Sequence, residues 1–247
     1  MPPTLDRDPT HPIVEHACAV MRRAHALGWI STRDGNVSVA MSDARGFLMS
    51  ASGVIKHALV PTQFVFIPAD APLDADAHPR PSGELELHRR LQTRLGGRAL
   101  TVLHLHPTYI VAALHAGLRL ADLSAGFPEV SRYTRVGPDV PALPATSQEL
   151  AEACDAAFAP ALGPAPHIVG LDRHGVVAWG RSPWEAFEHV ERLVDDHLQR
   201  RPGEVDRQVA AVDREAAGAG LHPDAGHGVL AAAGGVGAAH LVDLRLR

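Results

Sequence analysis

Residues Ala99 to Leu105 form a compact apolar run that ends on His104-Leu105-His106 and is closed at once by Pro107. A run this short, stopped by a proline, reads as a strand, and a further helix follows from about Thr108 to His115. Side chains two apart on a strand point to one face, so the two imidazoles stand together at its tip. Any fold open to the chain has to bury the apolar part of this strand and still present that pair.

Helical and strand patterns alternate around it. From His11 to Gly28 one face carries Ile13, Ala17, Val20, Ala24 and Leu27, with Val14, Cys18 and Met21 beside it. The period is that of an amphipathic helix and it stops at a glycine. Val37 to Met41, Gly46 to Ser50 and Phe64 to Pro68 are β-type runs separated by Gly, Ser, Asp and Pro, and read as strands of one sheet. Residues 69 to 81 form a polar, proline-rich loop that delivers a helix carrying Leu87, Leu91 and Leu95. Residues 117 to 145 read as irregular. Thr146-Ser147-Gln148-Glu149 is a capping box opening a helix to about Phe158, and Ser182-Pro183-Trp184-Glu185 is a second, with proline at the first helical position. Between them, His167 to Leu171 and Val176 to Gly180 flank Asp172-Arg173-His174-Gly175, which has hairpin turn chemistry.

Composition narrows the class. With 247 residues, 46% of them hydrophobic and 21% charged, the chain can bury one sizeable core. Residues 1 to 10 are expected to be a mobile lead, residues 11 to 217 one domain, and residues 218 to 247 a loosely ordered Gly/Ala-rich tail. Cys18 and Cys154 cannot build a disulfide framework, and the first residues lack the cationic start and apolar core of a signal peptide, so a cytoplasmic setting is expected. Gly228 to Val242 is mostly Gly and Ala and is interrupted by His240, so no membrane span is expected. Net charge is -5 and Lys and Arg form no cluster, which argues against nucleic-acid binding.

Four segments carry chemically capable side chains. Asp34-Gly35-Asn36-Val37-Ser38 and Ser50-Ala51-Ser52-Gly53 can each turn backbone amides toward an anion, or be ordinary turns. Pro81-Ser82-Gly83-Glu84 can leave free N–H groups at a helix start for a phosphate, or be a simple helix cap. The fourth is the His104/His106 pair, whose geometry suits two ligands of one metal. His174, at the hairpin turn, can be projected into a shared site as a third ligand. Three histidines and no cysteine describe a catalytic site with a position left open for substrate or water. His16, His25, His88, His189 and His197 lie on predicted helices and are expected at the surface or its boundary.

In this order, GNVS at 35 to 38, SASG at 50 to 53, PSGE at 81 to 84, HLH at 104 to 106 and RHG at 173 to 175, the chain resembles the class II aldolase/adducin family. The resemblance spans about residues 11 to 200. It implies an α/β fold of three layers, α/β/α, around a largely antiparallel sheet. It also implies a divalent metal on His104, His106 and His174, zinc first with Mn, Fe or Co as alternatives, and a homo-oligomer, usually a tetramer. A phosphate cradle falls on Gly35, Asn36, Ser52, Gly53, Ser82 and Gly83, and the catalytic acid/base on Glu84.

The activity so implied is a metal-dependent aldolase that cleaves or forms a phosphorylated ketose through a metal-stabilised enediolate. The alternative is a sugar-phosphate dehydratase of the methylthioribulose-1-phosphate type, and a third reading is a non-catalytic, adducin-like assembly module. The substrate in either enzyme reading is a small phosphorylated sugar or hydroxy-ketone. Two positions depart from the family pattern. Asp34 stands where a small hydroxyl residue or glycine is usual, and Gly83 where a second small polar residue is usual. Lys56 reads as a solvated surface lysine, with compensating charge for the phosphate as the alternative. Tyr109 and Tyr133, the two tyrosines of the chain, fall on none of these motifs.

Overall fold

Strand alternation and helix periodicity sort the side chains into three layers. The computed structural model describes residues 12–41, 46–69, 79–96, 101–125, 128–159 and 163–199, with side chains of the last helix followed to Val194. The expected lead at 1–10 and tail at 218–247 lie outside these residues. In chain order the elements are α1 (Pro12–Ala26), β1 (Asn36–Ala40), β2 (Gly46–Ser50), β3 (Phe64–Pro68), α2 (Leu85–Arg94), β4 (Thr101–Leu105) and α3 (Thr108–His115). They continue with α4 (Leu120–Ser124), α5 (Pro128–Tyr133), α6 (Gln148–Ala157), β5 (Ile168–Leu171), β6 (Gly175–Gly180) and α7 (Pro183–Gln199).

The six strands form one sheet in the order β3-β2-β1-β4-β6-β5, and every neighbouring pair is antiparallel. The apolar run singled out in the sequence is therefore a central strand, with Leu103 opposite Val37 on one side and Ala178 on the other. Val37, Val39, Leu103, Leu105, Val176 and Ala178 face α1, α3 and α7. Val102, Val169, Leu171, Val177 and Trp179 face α2 and α6. Fully burying a side chain of this size is worth about 1.5–3 kcal/mol, so both faces hold helices strongly. On the α2 face the apolar pattern is broken by Asn36, Ser38 and His104, all buried.

Local rules account for most boundaries. Ser182 Oγ accepts the Glu185 N–H at 3.1 Å, as the second capping box requires, while the Glu185 carboxylate takes the Arg181 N–H at 2.6 Å. The first box is shifted by one residue. Ser147, not Thr146, caps α6 by accepting the Leu150 N–H at 3.1 Å. The stretch 117–145, expected to be irregular, holds α4 and α5. Each has only one or two turns, too few for a period to show in the sequence.

Two histidines expected at helix surfaces are buried. His88 is 0% exposed beneath α2 and His189 is 3% exposed beneath α7. His189 Nδ1 pairs with Thr134 Oγ1 at 2.9 Å, and its ring stacks on His167 with centroids 4.3 Å apart. Burial pushes both rings down to about 3; for His189 the His167, Arg192 and Arg135 charges add to it, and for His88 Glu84 opposes it. The unfolded chain takes up these protons near the ordinary value of 6.5 and the fold refuses them. Stability is thus fully present above that value and is lost as the pH falls toward 3. We expect the unfolding free energy of the metal-free protein to fall between roughly pH 6 and 4, by about 1.4 kcal/mol per pH unit per histidine, and the unfolding temperature to drop with it. A thermal melt series across that range measures it.

A candidate metal centre beneath the second helix

The site is assembled by two close approaches of backbone. Gly35 has φ +68, and a Cβ there would stand 2.7 Å from Ile30 Cγ2 and 3.0 Å from the His104 carbonyl oxygen. Glycine alone lets the start of β1 lie against the end of β4. At Gly175 a Cβ would stand 2.3 Å from the Leu105 carbonyl oxygen and 2.8 Å from His106 Cδ2. That absent methyl lets the β5–β6 hairpin bring His174 to His104 at the end of β4 and His106 just beyond it.

The His104, His106 and His174 ring nitrogens lie within 4.8 Å of one another. His104 Nε2 and His106 Nε2 are 2.7 Å apart. His104 Nδ1 lies 2.9 Å from the Val176 carbonyl oxygen, which can only accept, so Nδ1 carries the proton and Nε2 turns a lone pair to the centre. Burial pushes His106 down to about 3, helped by His104 and His174, and lowers His174 as well. Neutral imidazoles are the form a metal binds. His174 Nδ1 is buried without a hydrogen-bond partner among the described residues. The donor set therefore fits a divalent ion.

Glu84 sits against this cluster. It occupies the position before α2 with φ -89 and ψ 24, in the sparsely populated region between helix and strand. Helix α2 starts at Leu85, so Glu84 stands just ahead of its first turn. Its Oε2 is 3.4 Å from His104 Nε2 and its Oε1 is 3.5 Å from His174 Nε2. Burial pushes its carboxyl up, but His104, the Asn36 amide, His174 and His88 together outweigh burial and hold it well below the usual carboxylate range.

A cavity of about 170 Å³ opens over these groups, lined by Glu84, the three histidines, Gly35, Asn36, Ser52, Gly53 and Ser82. Of the residues predicted for the phosphate, Gly83 alone is not on its wall. Its Cβ would stand 2.9 Å from Thr146 Cγ2, and Thr146, itself at φ 62, lines the cavity instead. Asn36 lines the cavity with its amide engaged, Nδ2 on Glu84 at 2.8 Å and Oδ1 on His88 at 2.5 Å.

Lys56 is not a surface lysine. It is 2% exposed, its Nζ is 3.4 Å from the Ala51 carbonyl oxygen, and it lines the cavity with Arg33 and Asp34. Burial pushes its ammonium down to about 8, against the pull of Asp34 and with the help of Arg33. Arg33 Nη1 donates to the Gly53 carbonyl oxygen, and Asp34 Oδ2 accepts the Ser31 hydroxyl at 2.5 Å. Two cations against one acid leave the Ser52-Gly53 end of the cavity suited to an anion. The sequence reading missed Arg33, for which no pattern stood out, took Thr146 for part of a helix cap, and placed Lys56 and His88 at the surface.

With this geometry in place, comparison with known proteins is decisive for the family. The family model described as class II aldolase and adducin N-terminal domain matches residues 15–195. The chain belongs to the class II aldolase and adducin family. A methylthioribulose-1-phosphate dehydratase from Bradyrhizobium sp. is 33% identical over 190 residues, covering 70% of this chain and 82% of that protein. A second dehydratase of that name, from Geobacillus thermodenitrificans, is 28% identical over 179 residues, covering 67% and 80%. The crystal structure of L-fuculose-1-phosphate aldolase from Thermus thermophilus superposes with a TM-score of 0.58 at 26% identity, covering 75% of this chain and 91% of that one. The three-layer fold expected of a class II aldolase family member is thus the fold of this chain. Among the described residues no helix is long and apolar enough to cross a membrane.

Proposed function

We propose that this protein is a metal-dependent lyase acting on a phosphorylated ketose, with dehydration of a methylthioribulose-1-phosphate-type substrate as its reaction. The observation that carries the reading is the Glu84 carboxylate, 3.4 and 3.5 Å from two imidazoles of a three-histidine cluster, at the wall of an anion-suited cavity. Dehydration is placed ahead of aldol cleavage because the relatives at 33% and 28% identity bear the dehydratase name, while the aldolase structure is 26% identical. Aldol cleavage of a ketose 1-phosphate is the second reading. The adducin-like assembly reading is disfavoured by the presence together of Glu84, His104, His106 and His174.

A divalent ion held by His104, His106 and His174, zinc in this reading with Mn, Fe or Co as alternatives, would supply a Lewis acid for the substrate carbonyl. Arg33 and Lys56, with Ser52, Gly53 and Ser82, receive the phosphate and fix the ketose so that C3 meets Glu84. Glu84 takes the C3 proton, the C–H electrons form a C3–C4 double bond, and the C4–O bond breaks. The proton on Glu84 neutralises the departing hydroxide, giving water and restoring the carboxylate, and the enol left behind isomerises to a diketone. In aldol cleavage the C4 hydroxyl gives up its proton, the C3–C4 bond breaks to leave a C4 aldehyde and an enediolate, and a proton taken up by Glu84 from that hydroxyl is delivered to C3. Gly35 shapes the turn under this site, and Gly83 gives Thr146 its room.

Product analysis by mass spectrometry of the metal-loaded protein separates the readings. Methylthioribulose-1-phosphate losing one water supports the first, and L-fuculose-1-phosphate splitting into two three-carbon fragments supports the second. Conversion of neither overturns the lyase reading. Lys56→Gln is expected to raise KM about 10-fold with little change in kcat, the scale of one lost charge-assisted contact. Steady-state kinetics would show it, and an unchanged KM removes Lys56 from phosphate contact. A cytoplasmic homo-oligomer, a tetramer, completes the proposal; light scattering at micromolar concentration tests the assembly, and a monomer would refute it.

A further inference from the structure

Helix α2 meets the sheet across a buried polar seam. Asn36 and Ser38, two apart on β1, share the face that α2 covers, and His88 and Gln92 follow Glu84 at successive helical turns. His88 Nε2 is 2.5 Å from Asn36 Oδ1, and His88 Nδ1 is 2.7 Å from Ser38 Oγ. Asn36 Nδ2 is 2.8 Å from Glu84 Oε2, and Gln92 Nε2 is 2.9 Å from Ser38 Oγ. His88 and Ser38 are 0% exposed, so water cannot take the place of the partners of these two groups.

With Glu84 ionised, one arrangement of protons satisfies every contact. The Asn36 amide donates to the carboxylate and leaves its carbonyl oxygen to accept, so His88 Nε2 must carry the proton. Nδ1 of the neutral ring then accepts the Ser38 hydroxyl, whose oxygen accepts the Gln92 amide. Gln92, Ser38, His88 and Asn36 thus each donate to the next group, and the last donates to Glu84. Chains polarised in one sense strengthen one another in a low-dielectric interior.

We propose that His88 is a positioning residue for the reaction, acting through Asn36. Its Nε2–H fixes the amide so that an N–H, and not the carbonyl oxygen, meets Glu84 Oε2, and the carboxylate is held with Oε1 free for the substrate proton. Without that donor, Asn36 Oδ1 is orphaned, the amide can turn over, and an oxygen then faces the carboxylate. Asn36, read from sequence as a phosphate ligand, spends its side chain on Glu84. The inference rests on the reading of Glu84 as the proton-transfer group.

Two variants and one spectroscopic measurement test it. His88→Gln keeps an N–H donor toward Asn36, and His88→Leu keeps bulk without one. On whichever of the two ketose phosphates the native protein converts, His88→Leu is expected to lower kcat about 10- to 100-fold, the usual cost of losing an outer hydrogen-bond partner. Its KM should stay within about 2-fold and its zinc content unchanged, because no group that touches substrate phosphate or ion is removed. His88→Gln should recover most of the lost kcat. Imidazole nitrogen correlation spectra of the zinc-loaded full chain should find His88 neutral, with the proton on Nε2. Equal loss of kcat in the Gln and Leu variants, or a proton on Nδ1, overturns the proposal and leaves His88 a packing residue. The tautomer is read with or without turnover, so an unconverted substrate counts against the lyase reading alone.

Discussion

Glu84→Gln is expected to lower turnover by about 10²- to 10⁴-fold while the protein keeps its fold and its metal. Glutamine matches the shape of the carboxylate but has no basicity, so a loss of this size isolates proton transfer. The geometry makes the test clean. Glu84 reaches His104 and His174 at 3.4 and 3.5 Å, distances of neighbours to the cluster. Asn36 Nδ2, which donates to Glu84 Oε2 at 2.8 Å, can donate equally to an amide oxygen at that place. If Glu84 only began the helix, its charge at that position would be worth about 0.3 to 1 kcal/mol of stability and nothing in rate. Kinetics with metal analysis of the same preparation decides between them. Near-normal turnover leaves Glu84 its role at the helix start, and loss of the ion makes it part of the metal site; either result overturns the proton-transfer assignment.

The fold was readable because the elements that carry it obey short-range rules. The run into Leu105, the Asp172–Gly175 turn and the second capping box each specify a local structure and one antiparallel hairpin, while the three-layer arrangement around the sheet was implied by the family resemblance. What escaped was tertiary. Helices α4 and α5 are too short to show a period. Val136 and Val140, in the stretch read as irregular, bridge in parallel to Ile168 and Leu171, contacts that no local pattern encodes.

Among the site residues, legibility followed the chain's own geometry. His104 and His106 were visible because a strand fixes the direction of residues two apart. His88 was hidden by composition, since a histidine beside Arg89 and Arg90 on a polar helix resembles a surface residue. The missed signal was spacing: four residues after Glu84 and three before Leu91, His88 lies on the face that points at the sheet. Lys56 gave no periodic signal, because the short turn Lys56–Ala58 that buries it has no repeat to read. Thr146 was assigned to a cap by its side chain, but its φ of 62 takes it out of the helix start and into the cavity wall.

His174→Ala is expected to remove most of the bound divalent ion, with an affinity loss beyond about 100-fold, because loss of an outer partner of a ligand alone costs about 10- to 100-fold. His174 is the decisive position of the three. His104 at the end of β4 and His106 just beyond it are two residues apart and would stay together in any variant that folds, whereas His174 reaches them from the β5–β6 hairpin. Its Nδ1 is buried without a partner among the described residues, and burial lowers its pKa, so without an ion the ring has little to hold it. The other role open to it is as a charged neighbour of Glu84 at 3.5 Å. That role needs a protonated ring, which the lowered pKa opposes at neutral pH. Elemental analysis of the purified variant distinguishes the two. An empty site with a preserved melting curve identifies the third ligand, and full occupancy assigns His174 to Glu84 and leaves the ion on His104 and His106 with another partner.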